Sequence, residues 1–214
     1  MFIDHRYEVI DTLGSGSWAN VYKVRDIRSG NFYTLKLFQY LPSEDIYSLF
    51  SAEDMHHITK IEHPNLSHVV DFGHVNDHIY VISDYFEGST LNNFRFSKNK
   101  VDALYQIVVQ VCYALNALHT QNIIHKDIKL ENILYSMSGN TLEVKVIDYG
   151  FSKFYLDKDS QYVSGTLPYV APEVYLGKPV GFASDFYSLG VVIYRLMTGS
   201  FPFSLDQINA LRSG

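Results

Sequence analysis

Cysteine is almost missing from this chain: Cys112 is the single thiol among 214 residues. Neither a disulfide framework nor a thiolate metal site can be assembled from it, and its place in an apolar helical pattern reads as a buried, inert side chain. Paired cysteines and a helical His-Glu-x-x-His are also lacking, which removes the usual partners of a zinc site. The loosely ligand-like gaps among His63, His68, His74 and His78 therefore carry no metal reading. Positive charge is scarce, with 17 basic against 23 acidic side chains and a formal net charge of −6. That balance argues against a general nucleic-acid or anionic-membrane surface, so any phosphate must be held locally. No uninterrupted apolar run approaches the ~18 residues of a membrane span, and the opening MFIDHRYEVI carries charge early with no apolar h-region. The expectation is no binding to nucleic acid, no membrane insertion, and a cytoplasmic, reducing setting.

What is present is apolar mass: 47% hydrophobic and 15% aromatic residues, enough for a substantial core. The segments YEVIDTL, NVYKVRDI, FYTLKLF, LSHVVDFG and HIYVISDYF alternate apolar and polar with β-branched and aromatic enrichment, and read as five strands. The run from Arg28 to Asn31 supplies turn chemistry between the second and third. One helix is expected after Lys36, starting near Ser43 as N-cap, with Ile46, Leu49, Phe50, Met55, Ile58 and Ile61 along one side and Pro64 beyond its end. From about Asp102 the period becomes helical through Leu104, Ile107, Val108, Val111, Leu115 and Leu118, with short strands around ENILYS and LEVKVIDYG. A strand-rich part followed by a helix-rich part predicts an α+β architecture of two lobes, 1–86 and 87–214.

Residues 13–21 read LGSGSWANV, and glycines flanking a serine let backbone amides approach an anion with no Cβ in the way. A dinucleotide fold would need this turn to open a helix, whereas Asn20 to Val24 continues as a strand. A P-loop would need Gly-Lys-Ser/Thr where Trp18-Ala19-Asn20 stands. A glycine-rich hairpin over phosphates and a plain β-hairpin both remain open on these residues. Here the sequence resembles the protein-kinase family, whose loop is Gly-x-Gly-x-x-Gly-x-Val; Ala19 replaces the third glycine. The resemblance implies that Leu13, Gly14, Ser15, Gly16 and Val21 contact the nucleotide. Tyr33-Thr34-Leu35-Lys36 is similar to the family's Val-Ala-Ile-Lys strand, which makes Lys36 the ammonium on the α and β phosphates and Thr34 part of the pocket roof. Its acidic partner is ambiguous. Counting back from His63-Pro64-Asn65 points to Asp54 and counting forward from Phe50 points to Glu53; the longer side chain favours Glu53. The segment Ile79 to Gly88 resembles the adenine-binding hinge, with Ser83 as a small gatekeeper, Asp84 and Phe86 offering backbone groups to adenine, and Leu134 among the nucleotide contacts further on.

The run Ile124-His125-Lys126-Asp127-Ile128-Lys129-Leu130-Glu131-Asn132 resembles the family's catalytic loop over its full length. The resemblance makes Asp127 the acceptor of the attacking hydroxyl's proton and Asn132 a magnesium ligand, with Lys129 countering charge on the transferred phosphoryl. Lys129 also marks serine/threonine specificity. Val144 to Gly150 looks like the strand and turn that present the second metal ligand, Asp148. Tyr149 replaces the usual phenylalanine and adds a hydroxyl that needs a polar partner. Gly165 to Glu173 is similar to the substrate-facing end of the activation segment, with Thr166 near Asp127 and Lys129, and Ser184 to Gly190 resembles the start of a central helix whose Asp185 caps the catalytic-loop backbone. Lys126 replaces an arginine that clamps a phosphorylated loop in many members, so switching by phosphorylation is expected to be weak.

The resemblance covers essentially the whole chain and implies an ATP- and magnesium-dependent kinase acting on serine or threonine of a protein substrate. It also implies further C-terminal helices or domains of a longer parent, including an arginine to pair with Glu173, so the expectation is a truncated domain of low stability. The alternative is a catalytically impaired kinase-like module that binds nucleotide or a protein partner. A small-molecule phosphotransferase is disfavoured by Lys129 and by the Gly-Thr and Ala-Pro-Glu elements.

Overall fold

A computed structural model describes residues 1–16, 19–38, 52–76, 78–96, 99–139, 141–150 and 167–213, with only the backbone described at 52–54 and 211–213. The chain divides into two compact units, Met1–His63 with Ser67–Glu87, and Pro64–Leu66 with Gly88–Gly214.

The first unit is built on six antiparallel strands: β1 (Phe2–Ile3), β2 (Tyr7–Ser15), β3 (Ala19–Asp26), β4 (Phe32–Phe38), β5 (Val69–Val75) and β6 (His78–Asp84), in the order β1-β2-β3-β4-β6-β5. Five strands were expected from the alternating pattern, and β1 is the addition. It has two residues, too few to show a period, and it is turned back onto β2 by Asp4 and His5, both left-handed (φ 49° and 52°). Paired positive φ is the geometry of a tight hairpin turn, and Asp and His tolerate it better than most residues. The turn between β3 and β4 falls where Arg28 to Asn31 placed it, with Gly30 at φ 77° and Asp26 N–H on the Asn31 carbonyl at 2.9 Å.

Strand alternation gives the sheet two faces. One buries Ile3, Tyr7, Val24, Leu35, Tyr80 and Ile82, with Tyr22, Tyr33 and Leu37 against them. The sheet curls, because Arg6 Nη1 reaches Asp71 on β5 (2.8 Å) and Tyr80 hydroxyl donates to Asp4 beside β1 (2.9 Å). Helix α1 (Ala52–Ile58) carries Met55 and Ile58 buried, as the apolar pattern required; the expected start near Ser43 lies outside the described residues.

Gly73 on β5 lies opposite Tyr80 on β6, and a Cβ there would sit 2.5 Å from the tyrosine oxygen and 2.7 Å from Cζ. Tyr80 cannot swing aside: it is buried, and its hydroxyl is committed to Asp4. Gly73→Ala is therefore expected to lower stability by about 1–3 kcal/mol. Urea unfolding checks this, and in a Tyr80→Val background the same substitution should cost almost nothing.

The second unit is mainly helical: α2 (Lys100–His119), α3 (Pro172–Tyr175), α4 (Phe182–Thr198) and α5 (Leu205–Ser213), with a three-stranded sheet of β7 (Ser89–Thr90), β8 (Ile133–Ser138) and β9 (Thr141–Val146). Asn99 caps α2 by accepting from Asp102 N–H. By length and composition α2 is apolar enough to cross a membrane. Its stripe of Ile107, Val111, Ala114, Leu115 and Leu118 is buried, however, and it packs on β9 and α4. Gln110 fastens it there, donating to the Leu142 carbonyl and accepting from Val144 N–H, each at 2.9 Å. Asn65 joins the same unit by donating to Gln110 Oε1 and to the Val144 carbonyl, both at 2.9 Å.

Candidate functional site

In the first unit the face opposite the core is set by register. Val21 pairs with Lys36, Lys36 with Val81, and Thr34 with Ser83, so these side chains share one side of β3, β4 and β6. Val21, Thr34, Lys36 and Ser83 are half-buried there. At the hairpin end Gly14 pairs with Val21 after an irregularity in β2, Ser15 Oγ donates to Asn20 Oδ1 at 2.6 Å, and Gly16 N–H donates to the Ala19 carbonyl at 3.0 Å. Among the described residues nothing steric requires the glycines: a Cβ on Gly14 would meet nothing within 4 Å, and one on Gly16 only the Ala19 carbonyl at 3.7 Å. Neither has positive φ. What glycine supplies is bare backbone, which suits the close approach of an anion such as a phosphate. Leu13 is exposed beside it.

Lys36 Nζ lies 5.4 Å from the Phe38 ring centroid. The side chains of Glu53 and Asp54, and the whole of Thr166, lie outside the described residues. At the end of β6, Asp84 N–H is committed to the His68 carbonyl (2.9 Å), and its carbonyl accepts from Ser67 Oγ (3.2 Å). Of the two backbone groups at Asp84, only the carbonyl, with its second lone pair, remains for a ligand. Phe86 is half-buried just beyond.

In the second unit the loop from Ile124 to Asn132 is held from both sides. Asp185, on α4 and 0% exposed, accepts from His125 N–H (2.9 Å) and Lys126 N–H (2.8 Å). Lys126 is left-handed at φ 64°, a rare conformation for a lysine that this grip maintains. The His125 ring accepts from Asp127 N–H at Nδ1 (3.3 Å), so the proton sits on Nε2, which donates to the Ile147 carbonyl (2.9 Å). Asp127 Oδ2 then receives Lys129 Nζ and Asn132 Nδ2, both at 2.7 Å. Asn132 Nδ2 also donates to the Asp127 carbonyl at 2.8 Å. The Asp127 and Lys129 side chains are 12% and 21% exposed, so both remain in contact with solvent.

Because both amide-nitrogen partners of Asn132 are acceptors, its orientation is fixed, and Oδ1 is the atom it presents to a ligand. Ile147 N–H donates to the Asn132 carbonyl at 3.0 Å, and Asp148, at φ 64°, is the next residue along the chain. An amide oxygen and a carboxylate are the hard donors that suit magnesium, which takes few protein ligands and fills the rest with water and phosphate. The residues fit that ion. Tyr149, which follows, is buried, and Leu134 is half-buried on β8, pairing with Thr90 and Lys145.

The segment after the activation region is pinned to α4. Ser188 Oγ donates to the Tyr169 carbonyl at 2.8 Å, and Tyr175 hydroxyl donates to the Leu167 carbonyl. Burial, with the nearby charge of Glu131 adding to it, pushes the Tyr169 phenol up to about 12, so it stays protonated at neutral pH. Glu173 was expected to lack a partner. Instead it is half-buried and accepts from Ser184 Oγ at 2.5 Å. A hydroxyl from the next helix satisfies one carboxylate oxygen without neutralising the charge, and partial exposure lowers the penalty below that of a fully buried unpaired carboxylate. The sequence also gave no sign of His119, whose Nε2 reaches Asp185 Oδ2 at 2.8 Å across 66 positions.

The profile of the protein kinase domain matches residues 7–213. Among similar proteins, cAMP-dependent protein kinase type 3 of Saccharomyces cerevisiae is 32% identical, covering 92% of this chain and 49% of its own. Serine/threonine-protein kinase PrkC of Bacillus subtilis is 31% identical (94% and 32%), and serine/threonine-protein kinase PknB of Mycobacterium leprae is 32% identical (95% and 34%). The chain thus spans less than half the length of these relatives.

Proposed function

Since this chain belongs to the protein kinase family, we propose that it transfers the γ-phosphoryl group of ATP, with magnesium, to serine or threonine hydroxyls of a protein substrate. The observation that carries the reading is Asp127 Oδ2 held by Lys129 Nζ and Asn132 Nδ2 at 2.7 Å each. A carboxylate fixed in that way is aimed to accept a proton from an incoming hydroxyl. Lys129, already beside it, counters the charge that builds on the phosphoryl oxygens as the hydroxyl attacks. Asn132 Oδ1 and Asp148 would hold magnesium, which when bound neutralises charge on the phosphates. Lys36 would contact the α and β phosphates, with Glu53 as its partner. Bare backbone at Gly14, Ser15 and Gly16 would face phosphate oxygens. Adenine would meet Leu13, Val21, Thr34, Ser83, the Asp84 carbonyl, Phe86 and Leu134. Transfer of labelled γ-phosphate to a generic protein substrate is the direct test.

The nucleotide face has one distinctive pair of residues. Ser83 and Thr34 stand opposite each other as cross-strand partners, two small side chains where a long one on either strand would fill the space. A purine inhibitor with a bulky substituent is expected to bind this chain about 10-fold or more tighter than its Ser83→Met variant, the scale of a filled or emptied apolar subsite. Competition binding measures it, and equal affinities would remove the idea.

A further inference from the structure

We infer that Lys23 is a positioning residue for the segment that meets adenine, its ammonium clamping the Tyr85 ring and so fixing the backbone from Asp84 to Phe86. The inference deepens the nucleotide-binding part of the proposed function and, where it concerns affinity, rests on it. Ladder pairing of β6 ends at Asp84, opposite Tyr33. There the backbone is held from the β5 side, Asp84 N–H donating to the His68 carbonyl (2.9 Å) and the Asp84 carbonyl accepting from Ser67 Oγ (3.2 Å). Tyr85 is the first residue beyond the strand, and its ring takes a hold from the β3 side. Lys23 Nζ lies 4.1 Å from the Tyr85 ring centroid and 4.7 Å from that of Phe32, both inside the ~6 Å reach of a cation–π contact. Register explains how one side chain meets both rings. Lys23 pairs with Thr34 and Thr34 with Ser83, so Lys23 stands on the nucleotide face, and Phe32, two residues before Thr34, shares that face. Tyr85 leaves β6, two strands from β3 and about 10 Å away at the usual strand spacing. The lysine stem and the tyrosine ring close that gap together. The ammonium turns to the rings, while its other cross-strand partner, Asp11, accepts from Thr12 N–H at 2.8 Å. Lys23 and Tyr85 are both half-buried, and partial desolvation strengthens the attraction of a cation for a ring. The contact ties β3 to the segment after β6, at the rim of the face that carries Val21, Thr34 and Ser83.

The test compares the full chain with Lys23→Met, which keeps the apolar stem and loses the charge, and Lys23→Arg, which keeps a cation suited to stacking on rings. Binding of magnesium-ATP and of magnesium tripolyphosphate, which has no base, is measured together with hydrogen exchange at the Tyr85 and Phe86 amides. The Met variant is expected to bind ATP about 3- to 10-fold more weakly, the scale of two partly exposed cation–π contacts. Its affinity for tripolyphosphate should stay within about two-fold, and kcat at saturating ATP likewise, since only binding of the base is touched. Its two amides should exchange faster, and Arg should restore both affinity and protection. In a Tyr85→Leu background Lys23→Met should change ATP affinity less than about two-fold, because the partner is already gone. Unchanged ATP affinity in the Met variant overturns the inference, and so does an equal loss in Met and Arg or a full loss in the Tyr85→Leu background. A parallel loss for tripolyphosphate overturns it too, since Lys23 would then act on the phosphates through its charge. If the unaltered chain binds ATP but transfers no phosphate, the phosphotransfer reading fails on its own and the affinities still decide Lys23. If it binds no ATP, nucleotide binding fails as well, and amide exchange decides: unaltered exchange in the Met variant rejects the clamp.

Discussion

Replacing Asp127 by asparagine is expected to lower the rate of phosphate transfer about 100- to 10,000-fold, the usual contribution of a positioned general base, while leaving the fold and ATP binding nearly intact. The geometry explains why the two effects separate. The carboxylate oxygen that matters accepts from Lys129 and Asn132, and an asparagine carbonyl oxygen can accept from both while its new NH₂ takes the other position. The loop keeps its internal bonds, Asn132 keeps its orientation, and only the capacity to take a proton disappears. Lys129→Met should behave differently. It removes both the cation that counters charge on the phosphoryl group and a donor that fixes the Asp127 carboxylate, so kcat falls and the carboxylate loses part of its orientation as well. Steady-state kinetics on a protein substrate, with nucleotide affinity measured separately, distinguishes the cases. If neither the chain nor its Asp127→Asn variant transfers phosphate and both still bind magnesium-ATP, the kinase reading gives way to a nucleotide-binding module.

Much of the candidate site was legible because its chemistry is local. From Ile124 to Asn132 the side chains meet within one loop, so their spacing encodes the contact: Asp127 and Lys129 are two positions apart, and Asp127 and Asn132 five. Alternation placed β2 to β6 for the same reason, since a period of two becomes visible over the seven residues of a strand such as β4. What escaped reading is non-local or brief. β1 is two residues long and shows no period. Ser184 meets Glu173, and His119 meets Asp185, only after helices have packed, and spacing along the chain encodes neither contact. The commitment of Asp84 N–H to His68 likewise depends on the way β6 leaves the sheet. Resemblance can point to a hinge segment, but it does not reveal which of its backbone groups are already in use.

The ends of the curled sheet give the second large effect, on stability. Arg6→Ala is expected to cost about 3–5 kcal/mol at neutral pH, the range for breaking a buried pair on one side. Arg6 Nη2 donates to Asp26 Oδ2 at 2.9 Å and Nη1 to Asp71 Oδ2 at 2.8 Å, while Tyr7 hydroxyl donates to the same Asp71 oxygen at 2.6 Å. Asp26 is the vulnerable member, at 2% exposure. The Arg6 hydrogen bond, helped by the Arg28 amide and Ser29 hydroxyl, outweighs burial and holds its carboxyl down at about 2. Arg6 is correspondingly raised, chiefly by its bond to Asp26. Remove the guanidinium and burial is left to act on a charge with two weaker donors. The pH dependence follows with a definite sign. Asp26 has a folded value below the ordinary carboxylate value of about 3.9, so its stabilisation is complete above roughly pH 4 and is lost as pH falls through about 2. In Arg6→Ala that gradient should flatten or reverse, since protonating Asp26 would now relieve an unpaired charge, and the stability gap between the two proteins should narrow between pH 5 and pH 2. Urea unfolding across that range measures it. A double variant, Arg6→Ala with Asp26→Asn, should regain more than half of the loss at pH 7. A gap that stays constant with pH, or a double variant no better than the single one, would show that Arg6 acts through packing over the Tyr7 ring, 4.8 Å away, rather than through the charge it shares with Asp26.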